Sequence, residues 1–137
     1  MEPISTLVIL GASGDLTSRL LLPGIATYLT RDPDRRVQVV GSSHKDFPEW
    51  EATVREAFAG ASGPAVEHAL ATTRWVTADA TAADDLARLL ADVEGPACLY
   101  FALPPAVTEA AVEALGSIAV PDDLGVRLPV WEEPALR

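Results

Sequence analysis

The stretch TLVILGASGDLTSRLLLPGIATYL, Thr6 to Leu29, decides the fold. A β-rich apolar run ends in Gly-Ala-Ser-Gly-Asp, and a second apolar segment follows at once. Ile4 to Leu10 reads as a strand buried on both faces, as in a parallel sheet. From Asp15 to Thr30, the residues Leu16, Leu20, Ile25 and Leu29 mark a helical stripe. Pro23 and Gly24 fall inside that stripe, which predicts a helix that kinks or begins in two pieces.

Between strand and helix, Gly11, Ser13 and Gly14 leave little side-chain bulk. A pyrophosphate can therefore approach the backbone. The N–H groups of the first helical turn and the positive end of the helix dipole favour an anion there. Ser13 adds a hydroxyl donor. The turn also sits at the carboxyl end of the first strand, where open α/β sheets bind dinucleotides. It departs from G-x-G-x-x-G, since Ser13 holds the second glycine position and Leu16 the third. On these residues alone, a turn that serves only strand–helix packing stays open. The strand–helix–strand setting favours the phosphate reading. Asp15 reads as a cap or first-turn dipole partner that points away from the phosphates.

The pattern continues outward from this turn. Val37 to Val40 is a second strand ending at Gly41. Phe47 to Gly60 suits a helix, with Trp50, Val54 and Phe58 spaced by four. After the Gly60–Pro64 loop comes a short helical piece, Ala65 to Thr72, and then a brief strand, Trp75 to Thr77. Ala82 to Val93 is a helix, and Ala97 to Leu103 a fourth strand stopped by Pro104-Pro105. Ala106 to Leu115 is a further helix, and Val126 to Trp131 a fifth strand. This alternation implies an α/β fold of the Rossmann type, a doubly wound, mostly parallel sheet with helices on both faces. Residues 1–137 are expected to form a single dinucleotide-binding domain.

Composition narrows the partners. The chain has 137 residues and a formal net charge of −10. That balance argues against nonspecific nucleic-acid binding and against anionic membranes, both of which need a basic footprint. It does not forbid an anionic cofactor held by backbone N–H groups. The single cysteine, Cys98, excludes an intrachain disulfide and reads as a buried apolar residue. No metal site is expected. No run approaches the ~18 apolar residues of a membrane span. Met-Glu-Pro-Ile lacks the basic start of a signal peptide, so a cytoplasmic location is expected.

The end of the second strand bears on the choice between NAD and NADP. It reads Gly41-Ser42-Ser43-His44-Lys45, with no acid to accept from ribose hydroxyls and with the only lysine of the chain. Two serines and a cation suit a 2′-phosphate, so NADP is expected, with NAD as the alternative.

Three stretches together resemble glucose-6-phosphate dehydrogenases. GASGDLTSRLLLP (Gly11–Pro23) is similar to that family's nucleotide-binding turn, with Arg19 and Pro23 in the following helix. LYFALPP (Leu99–Pro105) resembles the strand and turn beside the nicotinamide, and VVGSSHKDF (Val39–Phe47) the end of the second strand. The resemblance implies oxidation of glucose 6-phosphate to 6-phosphogluconolactone with NADP, in the pentose phosphate pathway. It implies that Gly11, Ala12, Ser13, Gly14, Asp15, Leu16, Thr17 and Ser18 cradle the cofactor phosphates. It implies that Ser43, His44 and Lys45 meet the adenosine end. Tyr100 with Leu103, Pro104 and Pro105 would line the path toward the nicotinamide.

The chain also departs from that family. His44 stands where NADP-using members carry arginine, and histidine is a weaker phosphate partner near neutral pH. Glu133 falls where the family carries a lysine that contacts substrate and cofactor, and its charge opposes a sugar phosphate. The family's larger catalytic domain, with its histidine base, is absent from the sequence. His68 reads as a surface or partly packed residue, and no catalytic residue is assigned. A missing or separate catalytic half is a candidate partner, as is self-association through exposed apolar surface. Two other readings stand beside this one. A short-chain or sugar-epimerising oxidoreductase needs a tyrosine with a lysine four residues on, but Tyr28 is followed there by Asp32 and Tyr100 by Pro104. A non-catalytic nucleotide-binding or remnant module needs neither.

Overall fold

The computed structural model describes residues 4–93, 95–120 and 124–127. Strand β1 (Thr6–Leu10) lies at the centre of a five-stranded sheet. It pairs in parallel with β2 (Gln38–Ser43) on one side and β4 (Ala97–Phe101) on the other. Strands β3 (Arg74–Thr77) and β5 (Leu124–Arg127) add at the two edges, also in parallel. The order is β3-β2-β1-β4-β5. The chain thus winds outward from β1 to β3, then crosses back to β4. The switch falls between β1 and β4, the place where an open α/β sheet leaves a crevice at its carboxyl edge.

Side-chain alternation along the strands divides the core into two layers. Ile9 and Val39 face α1 (Leu22–Arg31), α2 (Trp50–Ala57) and α3 (Pro64–Thr72), meeting Leu22, Leu29, Trp50, Val54 and Val66. Val8, Leu10, Val40, Leu99 and Phe101 face α4 (Ala83–Ala91) and α5 (Pro105–Gly116), meeting Leu86, Leu89, Leu90 and Ala111. The strands are apolar on both faces because both faces are covered. Cys98 is buried within β4.

The first helix does begin in two pieces. Residues 15–16 are helical, Thr17–Leu21 forms a π-helical turn, and α1 then starts with Pro23 as its second residue. Proline has no N–H to donate and its ring crowds the carbonyl four residues back. The wider π turn carries the chain past it, with the Leu22 N–H donating to Thr17 O.

Other boundaries shift for tertiary reasons. Gly41 does not end the second strand, because β2 runs on to Ser43. A Cβ at Gly41 would lie 2.7 Å from the Trp50 ring, so the glycine is there to let α2 pack on the sheet. That tryptophan is fixed by a buried relay: its Nε1–H donates to Thr73 Oγ1 at 3.0 Å, and the threonine hydroxyl donates to Val39 O at 2.7 Å. Strand β4 stops at Phe101, although the Ala102 N–H still donates to Leu10 O at 2.8 Å. Helix α2 is shorter than the apolar spacing suggested, since residues 47–49 form a turn and Phe58 caps the helix. Strand β5 starts earlier than expected, at Leu124 opposite Ala97. Residues 128–131 of the expected fifth strand, and Glu133, lie outside the described residues.

Candidate functional site

A cleft of about 230 Å³ opens at the carboxyl edge of the sheet, where the loops after β1, β2, β3 and β4 converge. The turn after β1 shapes it. Gly11 has φ +79°, and a Cβ there would sit 2.3 Å from Ala102 O and 2.7 Å from Leu103 Cδ2. The N–H groups of Gly11 and Ala12 both donate to Ser42 O, at 2.8 and 3.0 Å. The turn is therefore clamped between β2 and the loop after β4.

Gly14 differs in kind. The nearest neighbour of a Cβ placed there is Gly11 O at 3.5 Å, an ordinary contact, so packing does not demand a glycine. It borders open space on both sides, the cleft and a second groove bordered by Ser18, Arg19, Phe47 and Glu56. Among the described residues, the turn and cap hydrogen bonds leave the N–H groups of Ser13 and Asp15 unengaged by any carbonyl. Such donors at a helix start are ready for an anion. A cradle kept clear of side chains, with free backbone donors, fits a dinucleotide pyrophosphate.

The fold brings Gly11, Ser13, Gly14, Ser43 and His44 into this one cleft, together with Leu103 and Pro104. The remaining sequence-selected residues lie elsewhere. Ala12 is buried in the core, and with Ser18 it borders the second groove. Asp15 is exposed, and its backbone carbonyl accepts from the Ser18 hydroxyl at 3.4 Å. Leu16 is half-buried. Thr17 is fully buried, and its Oγ1 has no hydrogen-bond partner. The side chain of Lys45 is exposed and does not line the cleft, while its N–H donates to Ser43 Oγ at 3.2 Å. Tyr100 pairs in register with Ile9 and stands on that residue's face of the sheet, away from the Leu10 side. Burial pushes its phenol pKa up. Pro105 is exposed and opens α5.

Ser42, read from the sequence only as one of two serines suited to a 2′-phosphate, lines the cleft, while sequence reasoning passed over Val107 and the Ala78-Asp79-Ala80 loop, which help to form its wall. The signal for the loop was available: whatever follows a third parallel strand emerges at the same edge as the turn after the first. Ser42 is completely buried and its hydroxyl has no partner. Asp79 is exposed. The N–H and the hydroxyl of Thr81 both donate to its Oδ1, at 2.9 and 2.7 Å. These bonds, aided by the nearby His44, hold its carboxyl below the usual aspartate range.

His68 is half-buried on α3, on the opposite side of the sheet from α4 and α5. No group of three or more His, Cys, Asp or Glu among the described residues could hold a metal ion. No helix among them is long and apolar enough to cross a membrane.

The family model for the glucose-6-phosphate dehydrogenase NAD-binding domain matches residues 8–134. No curated protein matches the chain. Among solved structures, it is similar to glucose-6-phosphate 1-dehydrogenase from Mycobacterium avium, with TM-score 0.76 and 20% identity over 93% of this chain and 30% of that one. It is also similar to a glucose-6-phosphate dehydrogenase in complex with its substrate glucose-6-phosphate, with TM-score 0.69 and 18% identity over 93% and 31%. The fold is shared, and the chain spans less than a third of the length of either structure.

Proposed function

The chain belongs to the glucose-6-phosphate dehydrogenase family through its NAD-binding domain, and from this premise we propose that it holds a nicotinamide dinucleotide along the carboxyl edge of its sheet. The observation that carries the reading is Gly14: it has no packing reason to be glycine, yet it sits at the mouth of the cleft beside unengaged N–H groups. The N–H groups of Ser13 and Asp15 and the Ser13 hydroxyl take the pyrophosphate. Ser43 and His44, with Lys45 beside them, take the adenosine ribose, NADP before NAD. Leu103, Pro104 and Pro105 bound the path toward the nicotinamide, with Tyr100 in the strand behind them. When bound, the nicotinamide supplies a hydride acceptor.

Hydride removal from a sugar hydroxyl also needs a group that takes the proton within hydrogen-bond reach. His44 stands at the end of β2, on the adenosine side, and His68 is on α3. Neither serves the nicotinamide end. We therefore infer binding without turnover by these residues alone, with glucose 6-phosphate oxidation requiring a catalytic group that they do not supply. Val112 and Val120 are exposed, which supports either a covering partner or self-association.

Calorimetric titration with NADP, NAD and ATP tests the reading. Binding of NADP or NAD above ATP supports it, and absence of binding by all three overturns it. A non-catalytic nucleotide-binding module is the second reading, favoured by the position of both histidines away from the nicotinamide end.

A further inference from the structure

We propose that Asp79 reads the adenosine ribose and limits how strongly the cleft favours a 2′-phosphorylated over an unphosphorylated dinucleotide. The proposal rests on the dinucleotide reading above and adds a residue to it. Doubly wound sheets that bind NAD usually place an acid at the end of the second strand. Here that position reads Ser43-His44-Lys45. The fold brings in an acid from the next strand instead.

Register does this. Ser43 is paired with Thr77, and the Ala78 N–H donates to Ser43 O at 2.8 Å. Asp79 is the next residue, and it lines the same cleft as Gly11, Ser43 and His44. Thr81 holds its carboxylate and Asp85 its backbone. Thr81 occupies Oδ1 twice, and Asp85 Oδ2 accepts from the Asp79 N–H at 2.7 Å. Among the described residues, no hydrogen bond reaches the Asp79 Oδ2. The cleft therefore presents one fixed, charged, unused acceptor beside the end of β2. A ribose hydroxyl can donate to such an oxygen, whereas a 2′-phosphate is repelled by it. A second feature points to a ligand at this wall: Ser42, fully buried and lining the cleft, has a hydroxyl with no partner.

The test is the ratio of NAD to NADP dissociation constants for the full 137-residue chain, measured alongside ADP-ribose and its 2′-phosphate. Asp79→Asn keeps an oxygen for Thr81 but removes the charge. It is expected to shift both ratios toward the phosphorylated ligand by about fivefold or more. Thr81→Val, which releases the carboxylate without neutralising it, shifts them less and in the same direction. A loss of fold alone weakens both ligands and leaves the ratio in place. Ratios unchanged in Asp79→Asn, with binding intact, reduce Asp79 to a loop cap and overturn the proposal while the dinucleotide reading stands. Absence of binding by the unaltered chain for all four ligands overturns both.

Discussion

Gly11 and Ala102 meet so closely that a single methyl group on the glycine would lie 2.3 Å from the alanine carbonyl oxygen. This contact joins the turn after β1 to the loop after β4, across the switch point of the sheet. It is the reason the first glycine of the turn is a matter of folding. The second, Gly14, has room for a side chain, and the two positions make opposite predictions.

Gly11→Ala is expected to destabilise the chain by about 2–4 kcal/mol, from the positive φ and the backbone clash together. Gly14→Ala is expected to change stability by less than about 1 kcal/mol and to weaken dinucleotide binding severalfold by narrowing the cradle. Urea denaturation and calorimetry on the two variants check both halves. Equal loss of stability would remove the argument that Gly14 serves a ligand.

The relay from Trp50 through Thr73 to Val39 O is buried. Thr73→Val leaves the indole N–H without an acceptor and the carbonyl without its side-chain donor. A loss of about 1–3 kcal/mol is expected, with Thr73→Ser recovering most of it. Chemical denaturation followed by tryptophan fluorescence reads the difference.

Thr81 stabilises the ionised Asp79, first through its hydroxyl and then through its N–H. The carboxyl pKa is lower in the folded chain than the ordinary value of 3.8. The stability it contributes is therefore complete above the ordinary aspartate range, and is lost as pH falls through the lowered native value. Solvent screening at this exposed site keeps the contribution small. In a carbon-detected NMR titration, Asp79 is expected to titrate below ordinary aspartates, and Thr81→Val to bring it back toward them.

Pure protein supplied with glucose 6-phosphate and NADP is expected to give no NADPH, because no described residue stands as proton acceptor at the nicotinamide end of the cleft. Absorbance at the NADPH band is the readout. Sustained turnover by the chain alone would place a base in the chain that neither the cleft nor the helices reveal.

The architecture was legible because its signals are local. Short continuous apolar runs, helical stripes and Gly-Pro punctuation need no knowledge of partners, and the order of elements they imply is the order observed. Pro23 announced the break in the first helix for the same reason: a missing N–H acts within one turn. Gly41 misled as a terminator because its cause is remote. It is glycine on account of the Trp50 ring, which packs from another element.

The candidate site divides in the same way. The turn of Gly11, Ser13 and Gly14 that borders the cleft was readable from a motif, because it is built from neighbouring residues of the chain. Asp79 was not, because its place in the cleft depends on strand register: Thr77 lies opposite Ser43, which brings the residues after β3 to the end of β2. Lys45 was selected for its charge, yet the chain beyond Ser43 turns its side chain out to solvent. By itself the sequence determined the class of fold, the order of its elements and the glycine-bearing turn at Gly11–Gly14, all consequences of short-range sterics and periodicity. Only the tertiary structure decided which glycine of that turn answers to packing and which charged groups share the cleft, since those follow from the alignment of strands that are distant in the chain.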